Sequence, residues 1–236
     1  IYTDFSLLTA NPELTHEVRQ VFKYIENPYQ KTQFKQLIVS PKNTRKRLYQ
    51  LIDKEIQHAS EGKPASITLK LNNLVDREII EKLYLASQAN VKVRMIIRGM
   101  CSLVPGIPNV SDNIEVISVV DRFLEHPRVM IFHNAGKPKV YISSADWMTR
   151  NFDHRIEVAT TILDSKIKQT IIDITEFHFD DKRKARMIDH AMSNQYKPSP
   201  NAQLTHSTSQ LTTYHYIKHI EKQARKQYKQ EKKSCG

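Results

Sequence analysis

The chain has 236 residues, of which 39% are hydrophobic and 26% are charged, and it contains only five glycines. This length and composition are typical of one large globular domain with a core of its own. They exclude a membrane-spanning chain, because no apolar run approaches the length that crosses a bilayer, and the first residues lack the ordered basic and apolar regions of a secretory signal. The formal net charge of +11 favours a polyanionic partner.

Short apolar or alternating runs predict a series of strands, several of them separated by amphipathic helices. In chain order the predicted strands are 36–39, 66–71, 91–97, 114–120, 129–132, 140–146 and 155–162. Asn11 and Pro12 predict the start of a helix that ends at Asn27, and Ser40-Pro41 predicts the start of the next. Asp76 is the predicted cap of a third helix.

From residue 164 onward the pattern becomes helical. A helix is predicted over 166–179, a loop rich in Pro, Ser, Thr and Asn over 197–209, and a polar helix over 210–230. The last helix has a thin apolar stripe that consists of Leu211, Tyr214, Ile217 and Ile220. Strands that alternate with helices predict an α/β fold, in which ligands bind where strands end and helices begin.

Two further features concern the context of the chain. The two cysteines, Cys101 and Cys235, form neither a disulfide framework nor a zinc spacing, which favours a reducing, cytoplasmic compartment. Residues 1–8 resemble the middle of a folded structure, so we expect the chain to be a fragment of a larger protein. Residues 218–233 carry seven lysines and arginines against two glutamates. For this stretch a solvated helix end is favoured over a binding site.

The residues around His126 form the most informative part of the sequence. Two predicted strands joined by a tight turn would bring His126 and Arg128 close to Ser143, Ser144 and Asp146. A histidine can attack phosphorus or exchange a proton near neutral pH, and neighbouring cations and hydroxyls suit a phosphate. The sequence therefore predicts phosphoryl chemistry at His126.

The charged neighbours of His126 strengthen this interpretation. A single histidine in a loop is more often a polar surface residue than a catalytic one. Here Arg122 and Arg128 are candidates to hold phosphate oxygens, and Glu125 or Asp121 is a candidate to orient the imidazole.

Other polar residues also fall at predicted strand ends: Asn72, Asn73, Arg98 and Asp146. Arg98 precedes Gly99, and an arginine at the mouth of a strand beside a glycine suits bidentate binding of phosphate. A salt bridge to one of the carboxylates that precede the histidine explains Arg98 equally well. A cap of the following turn is an adequate structural role for Asp146.

Several well-known site motifs are absent from the sequence. It contains no GxxxxGK[ST] loop and no GxSxG elbow, which disfavours a P-loop kinase and a serine hydrolase. No cluster of carboxylates has an obvious metal-binding spacing. If magnesium is used, we expect it to arrive with a nucleotide or a polyphosphate.

Five segments resemble the polyphosphate kinases with a phospholipase-D-like catalytic core, and the last of them, which ends in Asp-Trp-Met-Thr-Arg-Asn, is specific. The segments are 2–10, 69–74, 97–103, 120–126 and 140–151. The resemblance implies a mixed sheet flanked by helices, with a helical C-terminal segment from about residue 165. It also implies that 1–36 are the tail of a first, mostly missing half and that 37–236 are the second catalytic half.

The resemblance further implies a reaction and its residues. Such enzymes reversibly move the terminal phosphate of ATP onto polyphosphate through a phosphohistidine and need Mg²⁺. His126 matches the histidine of the second half that assists the leaving group as acid or base, Arg98 a phosphate-binding arginine, and Tyr2 an aromatic residue at the nucleotide. The histidine that is phosphorylated belongs to the missing N-terminal half of the same protein.

We therefore expect ATP, ADP and polyphosphate as partners, a homo-oligomer, no nucleic acid, and a bacterial cytoplasmic location with room for peripheral membrane contact. One alternative is a phosphodiesterase or nuclease of the same fold. Arg128 and His133 depart from the His-x-Lys-x4-Asp pattern of phospholipase D and speak against it. The other alternative is a non-catalytic module that binds polyanions by charge alone.

Overall fold

A mixed sheet of eight strands, with helices on both of its faces, forms the body of the computed structural model, which describes residues 2–197 and 207–234. In chain order the elements are β1 (Tyr2–Thr3), α1 (Pro12–Glu26), β2 (Leu37–Ser40), α2 (Thr44–Ser60), β3 (Ser66–Leu71), α3 (Arg77–Gln88), β4 (Lys92–Ile97), β5 (Ile114–Val119), β6 (Leu124–Glu125), β7 (Arg128–Phe132), β8 (Lys139–Ser143), α4 (Thr149–Asp153), β9 (Glu157–Thr161), α5 (Ser165–Asp180), β10 (Ala185–Ile188) and α6 (Ser209–Ser234). Most of the predicted loop over 197–209 lies outside the described residues.

The order of strands across the sheet is β10-β5-β4-β3-β7-β8-β9-β2. The three central strands β3, β4 and β5 are parallel to one another, and every other pairing is antiparallel. Strands β1 and β6 form a separate parallel pair. The predicted mixed α/β architecture with a helical C-terminal segment is confirmed.

The period of two along a strand sends alternate side chains into two different core layers. In β4, Met95 and Ile97 belong to the large cluster that contains Leu83 of α3. Ile96, between them, packs with Phe179 of α5 on the opposite face. Because both faces are covered, the second half of β4, residues 95–97, is entirely apolar and buried, as is typical of buried parallel strands.

Two of the predicted helix starts are confirmed by their capping hydrogen bonds. The side chain of Asn11 accepts hydrogen bonds from the backbone N–H groups of Glu13 and Leu14 at the start of α1. The side chain of Asp76 accepts one from Ile79 at the start of α3. Both side chains satisfy donors that the first turn of a helix leaves without a partner.

The predicted helix start at Ser40-Pro41 is wrong by a few residues. Ser40 is the last residue of β2, where it pairs with Glu157, and α2 begins only at Thr44. The residue before the helix is Asn43, whose side chain accepts a hydrogen bond from the backbone N–H of Val39 at 2.7 Å. The strand therefore ends in a turn that separates it from the helix.

The predicted apolar stripe of α6 is also largely wrong. Leu211, Tyr214 and Ile217 are each more than 40% exposed. The helix instead packs on α5 through Tyr216, whose hydroxyl donates to Asp173 at 2.5 Å and whose ring meets that of Phe177 at 5.2 Å. The less exposed residues of the helix lie on this side: Ser209, Thr213, Tyr216 and Ile220.

Several strand ends converge at one edge of the sheet. Strands β3 and β4 end there, and β7, which is antiparallel to β3, begins there with Arg128. Arg128 is paired with Ser143, the last residue of β8. The predicted pair of strands around the turn is confirmed, and it brings the polar ends of four strands together. None of the helices in the described part of the chain is long and apolar enough to cross a bilayer.

Candidate active site

His126 directly follows β6, and a segment from the start of the chain holds it in place. The backbone N–H of His126 donates to the carbonyl of Thr3 at 3.1 Å, which extends the pairing of β1 with β6. Its Nδ1 atom lies 2.6 Å from Oδ2 of Asp4. The ring of Tyr2 lies 5.1 Å from the imidazole, centroid to centroid. The imidazole is 35% exposed, so part of the ring can still be reached from the solvent.

Arg128 lies across the ring of His126. Its Nη1 atom is 2.9 Å from Nε2 and 3.2 Å from Nδ1, and it also donates to the backbone carbonyl of His126 at 3.2 Å. An atom this close to both ring nitrogens lies over the face of the imidazole and not on the lone pair of either one. The tautomer is therefore assigned from Asp4: a carboxylate accepts hydrogen bonds, so in the neutral ring the proton lies on Nδ1 and Nε2 keeps its lone pair.

The orienting carboxylate was not the one predicted from the sequence. Glu125 and Asp121 were the candidates, but Asp4, which is 122 residues away in the chain, makes the contact. Glu125 points into the interior, and Asp121 lies 3.6 Å from Nζ of Lys184. The only sequence signal for Asp4 was its position two residues after Tyr2 in one of the segments that carry the family resemblance.

An open cleft of about 430 Å³ adjoins His126 and Arg128. It is lined by the start of the chain, the strand pair and β9: Asp4, Phe5, Leu7, His126, Pro127, Arg128, Ile142, Ser143, Ser144, Val158 and Thr160. The predicted proximity of Ser143 and Ser144 to the histidine is therefore confirmed. The hydroxyl of Ser144 donates a hydrogen bond to the carboxylate of Glu157 and accepts one from the backbone N–H of Val158.

Arg98 follows β4 and makes neither of the salt bridges that were its alternative explanation. Its Nε atom donates to the side-chain oxygen of Asn72 at 3.0 Å and to the backbone carbonyl of Glu125 at 2.7 Å. Both contacts use the same nitrogen, and no other residue in the described ranges is bonded to its two terminal nitrogens. The carbonyl belongs to the residue before His126, so Arg98 fixes the backbone directly next to His126.

Gly99 is required because the backbone passes very close to its neighbours. A Cβ atom at this position would lie 2.6 Å from Oδ1 of Asn73 and 2.7 Å from the carbonyl oxygen of Asn72. Its own N–H donates to that same carbonyl at 2.8 Å. This close approach holds the end of β4 against the end of β3, whereas the approach predicted from the Arg-Gly pair was that of the backbone to a phosphate.

Asp146 links the strand ends to one another. Its carboxylate accepts hydrogen bonds from the backbone N–H groups of Asn72 and Asn73, and from the side chain of Asn73. It also lies 3.3 Å from the guanidinium of Arg128. Burial would raise the pKa of Asp146, but Arg128 and Asn73 outweigh it and lower that pKa below its ordinary value.

Arg122 lies outside the cleft. Its side chain is exposed, and its guanidinium lies 5.8 Å from the centre of the Phe123 ring. It does not belong to the residues that line the space next to His126. Of the predicted cations, the structure therefore brings Arg128 to the imidazole, holds Arg98 behind it, and leaves Arg122 at the surface.

A buried charged network behind the cleft was not predicted. The ammonium of Lys70 lies 3.3 Å from the carboxylate of Glu125, and Nε2 of His178 lies 3.3 Å from the same oxygen. The side chain of Gln210, in the first turn of α6, donates to the other oxygen at 2.9 Å. Lys70 and Glu125 are at most a tenth exposed. The sequence carried no signal that would have joined these four residues.

The charges in this network shift the pKa values of its members. Burial would raise the pKa of Glu125, but the contacts with His178 and Lys70 hold that pKa at about 2. Burial, together with the nearby charge of Arg98, lowers the pKa of Lys70, while Glu125 opposes this shift. Lys70 also approaches the carbonyl of Pro127 at 3.4 Å. The network thus touches the residues on both sides of His126.

No metal centre is formed by the residues in the described ranges. No three or more His, Cys, Asp or Glu side chains there are grouped so that they could hold a metal ion. At the cleft itself, the carboxylates of Asp4 and Asp146 are already engaged by His126 and Arg128. A divalent ion held by this chain alone does not fit the site.

The chain is similar to several known proteins. Residues 37–210 match the family model described as polyphosphate kinase C-terminal domain 2. A curated polyphosphate kinase from Vibrio parahaemolyticus is 62% identical over 227 residues, which cover 96% of this chain and 32% of that protein. One from Escherichia coli is 54% identical over 221 residues, with 94% and 32% coverage. The chain thus spans about a third of the length of these relatives.

A solved structure leads to the same family. The crystal structure of polyphosphate kinase from Porphyromonas gingivalis superposes with a TM-score of 0.87 and 40% sequence identity, over 91% of this chain and 33% of that one. The family model covers well over half of the chain, and it includes the strand ends, His126 and the start of α6. The chain therefore belongs to the polyphosphate kinase family and carries its C-terminal domain 2.

Proposed function

We propose that this chain forms the C-terminal part of the active site of an enzyme that reversibly transfers the terminal phosphate of ATP to polyphosphate. The observation that carries the proposal is the arrangement around His126. Its Nδ1 atom is bound to Asp4, and its Nε2 atom lies next to Arg128 at the cleft. An oriented imidazole beside cations is suited to phosphoryl transfer, in which positioning and charge stabilisation do most of the work.

In this proposal His126 exchanges a proton with the oxygen that leaves phosphorus. Nε2 is the nitrogen available for this, since Nδ1 is committed to Asp4. A phosphate that enters the cleft gives the guanidinium of Arg128 a charged acceptor, and hydrogen bonds from guanidinium to phosphate are among the strong ones. Arg128 then turns from the face of the imidazole to the phosphate and holds it next to Nε2.

Arg98 and Tyr2 complete the proposed binding site. Arg98 is anchored through Nε alone, which leaves its terminal nitrogens to bind phosphate oxygens. The ring of Tyr2 is 61% exposed and lies next to the imidazole, so it can contact the nucleotide by stacking. Asp146 holds Arg128 and the strand ends in position and, as an anion, is not suited to touch phosphate itself.

The phosphorylated group is proposed to be a histidine of the N-terminal half of the same protein. Its nitrogen attacks the terminal phosphorus of ATP, the bond from that phosphorus to the bridging oxygen breaks, and ADP leaves. The terminal oxygen of polyphosphate then takes the phosphate from the histidine. Mg²⁺ is proposed to enter bound to the phosphates of ATP, since the carboxylates of the cleft are already engaged. We retain a cytoplasmic location and a homo-oligomer as proposals.

No observation favours a phospholipase-D-like phosphodiesterase. His133, which stands where that pattern has aspartate, lies in the turn at the far end of β7. Its Nδ1 atom is 3.0 Å from the carbonyl of Pro64, and it does not line the cleft. Both the identity of residue 133 and its place in the fold therefore argue against that chemistry.

The test uses the full-length protein that contains this chain, incubated with γ-labelled ATP and Mg²⁺. The expected result is acid-labile label on the protein and label in a long anionic polymer, with the polymer lost in His126→Ala. His16→Ala is the matched surface control, since His16 is an exposed histidine of α1 that does not line the cleft. Polymer synthesis that persists in His126→Ala would overturn the role given to that residue.

A further inference from the structure

The described lysine and arginine side chains of α6 all lie on one side of the helix. They are Lys218, Lys222, Arg225, Lys226, Lys229 and Lys232, and all six are exposed. At 3.6 residues per turn their positions fall within an arc of roughly 120°. Apart from the neighbours Arg225 and Lys226, successive members are three or four residues apart. They therefore form one continuous basic stripe, which we call the α6 stripe.

The α6 stripe faces away from the body of the protein. The side of α6 that packs on α5 carries Ser209, Thr213 and Tyr216, about half a turn around the helix from the stripe. Lys218 contacts only Tyr214 of its own helix, and Arg225 pairs with Glu221 one turn earlier. No ion pair joins the stripe to another element in the described part of the chain.

The second half of α6 has no apolar surface to bury. Every residue from 221 to 230 is exposed, and apart from Ala224 and Tyr228 all of them are polar or charged. A helix that enters a membrane interface or a coiled coil needs an apolar face along its length. This half of α6 has none, so its partner must be recognised by charge.

The stripe leads away from the candidate active site. In the first turn of α6, Gln210 exchanges hydrogen bonds with the backbone of Phe123 and with the side chain of Glu125, next to His126. With a rise of 1.5 Å per residue, Lys218 lies about 13 Å and Lys232 about 35 Å along the axis from Ser209. The stripe therefore begins near the candidate site, so a long polymer that is held at the site can also contact the stripe.

We propose that the α6 stripe binds the inorganic polyphosphate chain outside the active site. This inference rests on the proposed function, which makes a linear polyanion the product of the enzyme. Such a chain carries about one negative charge per phosphate and no apolar groups, which matches a straight row of lysines without an apolar face. By holding the polymer near the site, the stripe keeps it bound between successive transfers.

The test compares the full-length protein with a variant that combines Lys222→Gln, Lys226→Gln and Lys229→Gln. The matched control removes three exposed lysines elsewhere, by Lys31→Gln, Lys46→Gln and Lys92→Gln. The dissociation constant for long-chain polyphosphate is measured at several salt concentrations. The affinity falls as the salt concentration rises. Loss of three phosphate contacts should make the slope of log affinity against log salt less steep by about 2 in the stripe variant and leave it unchanged in the control.

Product length gives a second measurement. The stripe variant should release shorter polymers, while its initial rate of ADP formation on ATP stays within about twofold of the wild type. Lys→Arg at the same three positions should restore both binding and length, because it preserves the charge. Equal salt slopes and equal product lengths in the stripe variant and the control would overturn the proposal.

Two further outcomes keep this inference separate from the proposed function. If the wild-type protein makes no polymer, the proposed function fails, and binding of polyphosphate to the stripe is still measured directly. A homopolymeric RNA is added as competitor at equal phosphate concentration. If RNA displaces polyphosphate from the wild type but not from the stripe variant, the surface is a nucleic-acid site and the assignment to polyphosphate is wrong.

Discussion

The contact between Asp4 and His126 determines which nitrogen of the ring remains free to accept a proton. A carboxylate on Nδ1 fixes the tautomer and the orientation of the imidazole, as in other acid–base pairs of this kind. Glu125, the neighbour in sequence, is turned into the interior by Lys70 and His178. The residue next to the histidine in the chain and the residue next to it in space thus have different roles.

Asp4→Asn should lower the rate of polymer synthesis by roughly 100-fold, because it removes the charge that orients the histidine and supports proton exchange. The side chain is largely exposed, so stability should change little. Steady-state rates of the full-length variant check this, with melting temperature as the control for folding. An unchanged maximal rate would show that Asp4 does not act through His126.

Glu125→Gln should destabilise the protein by about 3–5 kcal/mol, because it leaves the ammonium of Lys70 buried beside a neutral group. Urea unfolding measures this. The double variant Lys70→Met, Glu125→Gln should be less destabilised than the sum of the two single changes, since the unpaired charge is gone. Additive losses would mean that Lys70 and Glu125 do not interact in solution.

The same carboxylate makes a prediction about pH. The pKa of Glu125 is held at about 2, below its ordinary value of 4.5, so its ionisation stabilises the folded state above pH 4.5. That contribution is lost as the pH falls from 4.5 towards 2. The difference in unfolding free energy between wild type and Glu125→Gln should therefore shrink over this range. A difference that stays constant would contradict the depressed pKa.

At the level of elements, the ends of β3 and β4 are joined through Gly99. Gly99→Ala places a methyl group against the backbone of Asn72, so one of the two strand ends must move, at a cost of about 1–3 kcal/mol. Arg98 moves with it, so the KM for ATP should rise as well. Steady-state kinetics and thermal unfolding measure the two effects.

Gly62→Ala is the matched control for that substitution. Gly62 has a positive φ of 69° but open space around its Cβ position, so alanine there meets backbone strain without a clash. It should cost stability and leave the KM for ATP unchanged. If both variants alter KM equally, the close approach at Gly99 is not what positions Arg98.

Local signals in the sequence were sufficient for much of this architecture. Asn11 and Asp76 cap the helices that they were predicted to cap, because a cap depends on residues within one turn. Arg128 and Ser143 meet as predicted, because a hairpin is also local. Periodicity failed for α6, where the helix docks through the hydroxyl of Tyr216 on Asp173 instead of its largest apolar residues.

Contacts between distant parts of the chain could not be predicted in this way. The pairing of β1 with β6 involves only two residues on each strand, too few to leave a pattern in the sequence. Strand β10 is likewise a short edge strand, with only four residues, one of which is Arg186. Asp4 and the buried network of Lys70 with His178 depend on such contacts. For these, only the family resemblance gave any indication, and it did so for the start of the chain alone.

At the scale of the whole molecule, the chain carries one proton-transfer residue and its cations but, in our proposal, lacks the histidine that accepts phosphate. Residues 1–236 by themselves should therefore bind ATP weakly and form neither acid-labile label nor polymer. Incubation of the isolated chain with γ-labelled ATP checks this. Acid-labile label on the isolated chain would mean that one of its own histidines is phosphorylated.

The short pairing of β1 with β6 has a consequence for molecules that are not yet fully folded. The carboxylate that orients His126 directly follows a strand of two residues and lies 122 positions earlier in the chain. A chain that has folded its sheet but has not yet docked this segment possesses the imidazole without its partner. In our proposal, such an immature or clipped molecule has no oriented base, so it should transfer phosphate as slowly as Asp4→Asn.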